Sequence, residues 1–169
     1  MGQNTTTLIA AAHSHLAHGT LVDDTTVRAL ATLVDKDPNT RDALIMCALT
    51  ADGMTATDTV EAAMHPDTPD TQRRLDALTG ASYHGTPHLA VNTTRYTRLM
   101  ALAGRMRGLC PEHGNVCTAI AIYLAWFVDD MAALREQVEL LDVTRPLPPL
   151  AVIAVGAAQS GVHSHAALG

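Results

Sequence analysis

The chain has 169 residues, of which 47% are apolar and only 3% aromatic, and it carries a formal net charge of −6. This acidity gives no general attraction to phosphate backbones or anionic lipids, which disfavours nucleic acids and membrane surfaces as partners. Because Ala, Leu and Met favour helices whereas sheets favour β-branched and aromatic residues, the composition predicts an all-α protein.

Helix start and stop signals in the first part of the chain indicate short helices. We expect a first helix at about 6–17, ended by Gly19, and a second one capped by Asp23 or Asp24. The second helix has an apolar stripe at helical spacing, made of Val27, Leu30, Leu33 and Val34. Such a stripe must be covered by another part of the chain.

Three further helices begin at signals that are typical of helix N-termini. Their starts are marked by Asn39 with Asp42, by Thr55 with Asp58, and by Thr68 with Pro69. These signals predict helices at 41–51, 55–64 and 70–78, and Gly80 is expected to end the last of them.

A long loop separates these helices from the rest of the chain. From 80 to 92 the sequence GASYHGTPHLAVN has Gly and Pro breaks and no period, which predicts a loop with a short extended piece at 89–91. Loops of this length in compact domains are often functional. A sixth helix is expected at 94–107.

The last third of the chain has the most regular pattern. Two apolar helical segments, 115–128 and 131–141, are joined by Asp129-Asp130 and followed by a cluster of prolines, which predicts a helical hairpin. A ninth helix at 150–159 is apolar almost all round, which indicates either burial or a partner surface.

These elements predict a single all-α domain, 1–169, of eight or nine short helices packed as antiparallel hairpins. We expect the ends, 1–5 and 160–169, to fray. The first residues lack the basic region of a signal peptide, and no apolar run reaches the roughly 20 residues of a membrane span. The cysteines are odd in number, Cys47, Cys110 and Cys117, so a cytoplasmic protein with free thiols is expected.

Several segments around the hairpin are similar to a known family. They are AWFVDDMAAL at 125–134, LLD at 140–142, PLA at 149–151, SGV at 160–162 and, earlier, DPNTRDAL at 37–44. Together they resemble the C-terminal part of the actinobacterial domain-of-unknown-function family 4192. The resemblance implies a tetratricopeptide-like hairpin and no catalytic residue. The chain departs from the family in lacking its apolar, β-rich N-terminal part, and Asp129-Asp130 replaces Gly-Asp.

A candidate metal site lies between the sixth helix and the hairpin. Cys110, His113 and Cys117 lie in the sequence CPEHGNVC, which has the ligand types and spacing that zinc prefers. A fourth ligand would have to come from His84 or His88 in the long loop. The alternative is that the segment is an ordinary helix-to-helix turn, in which Cys117 points into the core as a small hydrophobic residue.

The sixth helix also carries the basic cluster of the sequence. Arg98 and Arg105 are seven residues apart and flank its apolar stripe, so they are candidates for binding a phosphate, an acidic partner or nucleic acid. The alternative, which the net charge favours, is that they pair with the surplus of Asp and Glu. Trp126 in the hairpin is a further candidate interaction residue.

No catalytic or cofactor motif is present in the sequence, so the leading hypothesis is a non-enzymatic protein-interaction or self-associating module. The motivating features are the few aromatic residues and the apolar ninth helix. A zinc-binding regulator or small metal-dependent enzyme, built on Cys110, His113 and Cys117, is the alternative. Nucleic-acid binding through Arg98 and Arg105 is a third hypothesis.

Overall fold

The computed structural model describes residues 4–50, 54–83, 89–162 and 166–168. Most of them are helical, which confirms the all-α single-domain fold. The described part of the chain has the following α-helices: α1 Thr5–His18, α2 Asp24–Lys36, α3 Pro38–Leu49, α4 Ala56–Met64, α5 Pro69–Tyr83, α6 Thr93–Leu109, α7 Gly114–Phe127, α8 Met131–Val138 and α9 Pro149–Gln159. A 3-10 turn, Pro111–His113, precedes α7, and the two short strands are β1 Leu89–Val91 and β2 Ala166–Leu168.

The strands form a two-stranded parallel sheet in which Leu89 lies opposite Ala166 and Val91 opposite Leu168. β1 confirms the extended piece expected at 89–91. Within the segment 160–169, which is expected to fray, residues 166–168 form β2 and pair with a segment far away in sequence. At the other end, α1 already begins at Thr5 under the Asn4 cap, and residues 1–3 lie outside the described part.

Several helices begin where a side chain accepts a hydrogen bond from a backbone amide that has no partner within the first turn. The capping box of α4 is confirmed: Thr55 Oγ1 accepts from the Asp58 amide at 3.1 Å, and Asp58 accepts from the Thr55 amide at 2.9 Å. The cap expected at Asn39 is wrong. Asp37 caps α3 instead, because Pro38 suits the first helical position and the Asp37 carboxylate accepts from the Asn39 amide.

The end expected for the fifth helix is also wrong. α5 continues through Gly80 to Tyr83, so the loop expected from 80 starts later, and residues 84–88 lie outside the described part. A glycine inside a helix costs only about 1 kcal/mol relative to alanine, which the rest of the helix offsets.

α7 is the central helix of the domain. It packs against α6, α2 and α3 on one side and against α8 and α9 on the other. Ile120 and Leu124 belong to the main core, whereas Ile122 belongs to a second cluster that it shares with α8 and α9. Burying each such side chain stabilises the fold by roughly 1.5–3 kcal/mol. The turn at 128–130 then brings α8 back onto α7 and forms the predicted helical hairpin.

α9 is buried on one face only. Ala151 and Ala154 pack against α7, while Val152 and Ile153 are exposed. One face of α9 therefore belongs to the core, and the other is an apolar surface.

The α4 capping box is also tied to α5. Asp58 accepts hydrogen bonds from Arg74 Nε at 3.0 Å and from Arg74 Nη2 at 3.3 Å, and only 12% of its side chain is exposed. Burial alone would raise the pKa of Asp58, but the hydrogen bonds from Arg74 and Thr55 outweigh it and lower the pKa below its usual value. A carboxyl whose pKa is lower in the folded state contributes stability above its unfolded pKa, and this stability is lost as the pH falls through the folded pKa.

We predict that Asp58→Asn lowers the free energy of unfolding by about 1–2 kcal/mol at neutral pH, because it removes the charged cap and its bonds to Arg74. The difference from wild type should shrink at about pH 3 and below, where Asp58 begins to be protonated in wild type as well. Urea unfolding at neutral pH and at about pH 3 measures this difference in stability. The control is Asp76→Asn, which removes an exposed carboxylate on α5. An equal loss at both pH values would contradict the role of the charge.

One buried hydroxyl in α7 lacks a partner. Thr118 Oγ1 is buried and has no hydrogen-bond partner among the described residues. We predict that Thr118→Val raises the free energy of unfolding by about 1 kcal/mol, since valine has the same shape without the desolvated hydroxyl. Thr59 is the matched control, because its buried hydroxyl donates to the Thr55 carbonyl at 2.9 Å, and Thr59→Val should not stabilise. Thermal or urea unfolding that ranks the two variants the other way round would show the account of Thr118 to be wrong.

Candidate functional site

The turn between α6 and α7 directs its two cysteines inward. Cys110 ends α6, and Cys117 lies one turn into α7, and both are buried in the main core. Burial, together with the nearby Cys110, raises the pKa of Cys117 to about 12. A thiol with so high a pKa stays protonated at neutral pH, so Cys117 packs as a small hydrophobic residue.

His113 points the other way, toward α2. Its Nδ1 lies 2.8 Å from Asp35 Oδ2, and its Nε2 lies 3.2 Å from Thr32 Oγ1. Since a carboxylate only accepts, Nδ1 carries the proton of that bond. Both ring nitrogens of His113 therefore have partners on α2, and the ring joins the turn to that helix.

The three residues of the zinc hypothesis thus have different surroundings. Among residues 4–50, 54–83, 89–162 and 166–168, no three His, Cys, Asp or Glu side chains come together as a set that could hold a metal ion. His84 and His88, the candidates for a fourth ligand, lie outside the described residues. Zinc binding by Cys110, His113 and Cys117 stays a hypothesis, and elemental analysis of the purified protein would test it.

A cavity of about 520 Å³ lies beside His113, and we call it the Arg41 cavity. It is enclosed by the end of α2, the start of α3, the 3-10 turn with the first turn of α7, and the loop before α9. Its polar lining residues are Asp35, Arg41, Glu112, His113, Asn115 and Arg145. No sequence pattern predicts this cavity, because its residues come from four separate segments.

The two arginines of the basic cluster bind parts of the chain itself. Arg98 Nη1 donates to the Leu16 carbonyl near the end of α1, at 2.9 Å. Arg105 donates to the Val22 carbonyl at 3.2 Å and to Asp24 at 2.8 Å. They join α6 to the α1–α2 connection. Nucleic-acid binding through these side chains stays a prediction, and it would have to compete with these bonds.

Arg98 also occupies the space beside a left-handed turn. Gly19 ends α1 with φ +74°, and a Cβ atom added there would lie 2.9 Å from Arg98 Nη2. Glycine is therefore favoured at this position for its φ, and the Arg98 guanidinium would have to shift for any larger residue.

Trp126 is half-buried in the hairpin. Its Nε1 donates to the Val162 carbonyl at 3.0 Å, and its ring centroid lies 5.5 Å from that of Tyr123. This hydrogen bond holds the segment after α9 against α7, so the indole N–H already has a partner within the fold.

An apolar groove runs between α8 and α9, and we call it the α8–α9 groove. It consists of two adjoining cavities of about 470 and 320 Å³ that share Val138, Val155 and Gln159. Its remaining apolar walls come from Met131, Leu134, Leu141, Val143, Leu147, Ala151, Val152 and Ala158. The signal for this surface in the sequence was the apolar ninth helix.

No protein-family model, curated protein or solved structure matches the chain. Within the described residues, no helix is both long and apolar enough to cross a lipid bilayer.

We predict that the native thiols react slowly with iodoacetamide at about pH 8, because the thiolate is the reactive form and Cys117 keeps its proton. Burial likewise raises the pKa of Cys47. Ala101→Cys, at an exposed position of α6, supplies a reactive thiol in the same fold as the control, and unfolding in urea should expose all cysteines. Mass spectrometry after timed labelling measures the rates. Native labelling of Cys117 as fast as that of the thiol introduced by Ala101→Cys would contradict its place in the core.

Proposed function

We propose that the protein is a non-enzymatic, self-associating module that docks a second copy of itself through the α8–α9 groove. One observation carries the proposal: the exposed large apolar side chains of the described residues concentrate near the C-terminus. Six of the eight lie between 140 and 162, namely Leu140, Val143, Leu147, Val152, Ile153 and Val162, while only Leu21 and Met64 lie elsewhere. Clustered exposure of this kind is typical of interaction surfaces, whereas scattered apolar residues need no explanation.

The composition of α9 supports a permanent partner. Its sequence, PLAVIAVGAAQ, has no charged residue, although one face lies at the surface. Transient interfaces are about as polar as the rest of a protein surface, and homodimer interfaces are more apolar. An uncharged surface helix therefore fits an interface that is seldom exposed to water.

The shape and charge of the groove favour a second copy as that partner. Val152 lines the groove and Ile153 is exposed on the neighbouring face of α9, so a two-fold axis can place these side chains of each copy against the groove of the other. Gly156 leaves open space at the surface of α9, which allows close approach of a second helix. Arg135 of α8 and Glu139, which follows this helix, line the groove with opposite charges, which suits an antiparallel arrangement of two copies.

Two finer expectations accompany this proposal. The three free and buried cysteines suit a reducing compartment such as the cytoplasm.

Asp129 has φ +59°, a left-handed conformation in which glycine is most common. Glycine would also fit this position, so we keep the resemblance to the actinobacterial family 4192 and its tetratricopeptide-like hairpin as part of the proposal.

We predict that Ile153→Asp raises the dissociation constant of the dimer by at least about tenfold, because it places a charge in the apolar interface. Ile153 is 62% exposed in the single chain, so the variant should keep its circular dichroism spectrum and its fold. Light scattering after size-exclusion chromatography, over a dilution series, measures the mass.

Leu21→Asp is the matched control, since Leu21 is 90% exposed and lies far in sequence from the groove. It should leave the dimer unchanged. A wild-type protein that stays monomeric at every concentration, or a dimer that Leu21→Asp disrupts as strongly as Ile153→Asp, would overturn the proposal.

A further inference from the structure

The Arg41 cavity has the dimensions and walls of a small-molecule site. Its volume of about 520 Å³ falls within the range of roughly 300–1,000 Å³ that is usual for such sites. Four prolines contribute to its walls, Pro38, Pro146, Pro148 and Pro149, together with Val116 and Leu147. The cavity is therefore largely apolar, with a few polar groups among the proline rings.

Hydrogen bonds hold the loop over the cavity in place. Asn115 Nδ2 donates to the Asp142 carbonyl at 3.0 Å, and the Asp142 amide donates to Asn115 Oδ1 at 2.8 Å. Arg145 Nη1 donates to the carbonyls of Pro111 and Glu112, both at 3.2 Å. These bonds join the loop to the start of α7 and to the 3-10 turn. The pocket is therefore preformed, and binding a ligand would cost little free energy for ordering the loop.

The charges around the cavity leave one strong donor available. Asp35 is already bonded to His113, and Asp42 accepts from Arg41 Nε at 2.8 Å. Only 16% of the Arg41 side chain is exposed, and neither of its Nη atoms has a hydrogen-bond partner among the described residues. The Nη atoms of Arg41 are not fully buried, and an oxyanion in the cavity would accept two bonds from this fork.

The remaining charges select the kind of oxyanion. Glu112 and Asp35 offset the charges of Arg41 and Arg145, which also line the cavity, so a dianion such as phosphate gains less there than a singly charged carboxylate. The proline walls offer contact area to an apolar group. We propose that the Arg41 cavity binds a small monocarboxylate with an apolar body, with the carboxylate on Arg41 and the body against the prolines.

Benzoate is a suitable probe, because it has this chemistry and fits the cavity. In a titration of ¹⁵N-labelled protein followed by NMR, benzoate should bind with a Kd on the order of 1 mM, as expected for a ligand of its size. The amide signals of Arg41, Asn115 and Leu147 should move. Benzamide, which lacks the charge, and inorganic phosphate, which lacks the apolar body, should each bind at least tenfold more weakly. No saturable shift with benzoate, or equal binding of benzamide or phosphate, would overturn the proposal.

Three variants test whether the charges at the cavity decide the binding of benzoate. Arg41→Met should weaken benzoate binding at least tenfold, while Arg73→Met removes the same charge from the surface of α5 and should have no effect. Glu112→Gln, at an exposed position, should tighten the binding of benzoate and of phosphate, because it removes a like charge. If Arg41→Met does not fold, Glu112→Gln decides: an unchanged affinity for both anions would contradict binding at this cavity.

Discussion

The structure depends on the burial of α7 on both of its sides. Its sequence, GNVCTAIAIYLAWF, contains no charged residue, and other helices pack against it along nearly its whole length. Ile120 and Leu124 hold the main core together, and Ile122 and Ala125 hold the smaller cluster with α8 and α9. Because one helix supplies both clusters, it fixes where the Arg41 cavity and the α8–α9 groove lie. The Arg41 cavity borders the start of α7, and the groove lies between the two helices that pack on the other side of α7.

Local features of the fold could be predicted, since they depend on residues that are close in sequence. The Thr55 and Asp58 capping box, the helical hairpin and the extended piece at 89–91 are examples. The errors have one distant cause and others that are local. β2 exists because 166–168 pairs with 89–91, and α5 passes through Gly80 because one glycine does not end a helix by itself.

The candidate sites show the same limit. CPEHGNVC has the spacing of a metal site, but the phase of α6 and α7 sends Cys110 and Cys117 into the core and leaves His113 at Asp35. Asp35, the partner of His113, lies far earlier in the chain, so no local sequence pattern could reveal this contact. Arg98 and Arg105 had a visible spacing, but the carbonyls of Leu16 and Val22 that they bind carry no sequence signal. By contrast, the uncharged sequence of α9 did indicate its apolar surface.

The central functional claim is that a second copy covers this surface, so that Ile153 and Val152 are in contact with another chain. The most direct measurement is an isotope-filtered NOE experiment on a mixture of ¹³C-labelled and unlabelled protein, which detects only contacts between copies. The account predicts NOEs from the methyl groups of Ile153 to valine and leucine methyl groups of the α8–α9 groove. An absence of intermolecular NOEs, or NOEs that map to another face, would contradict it.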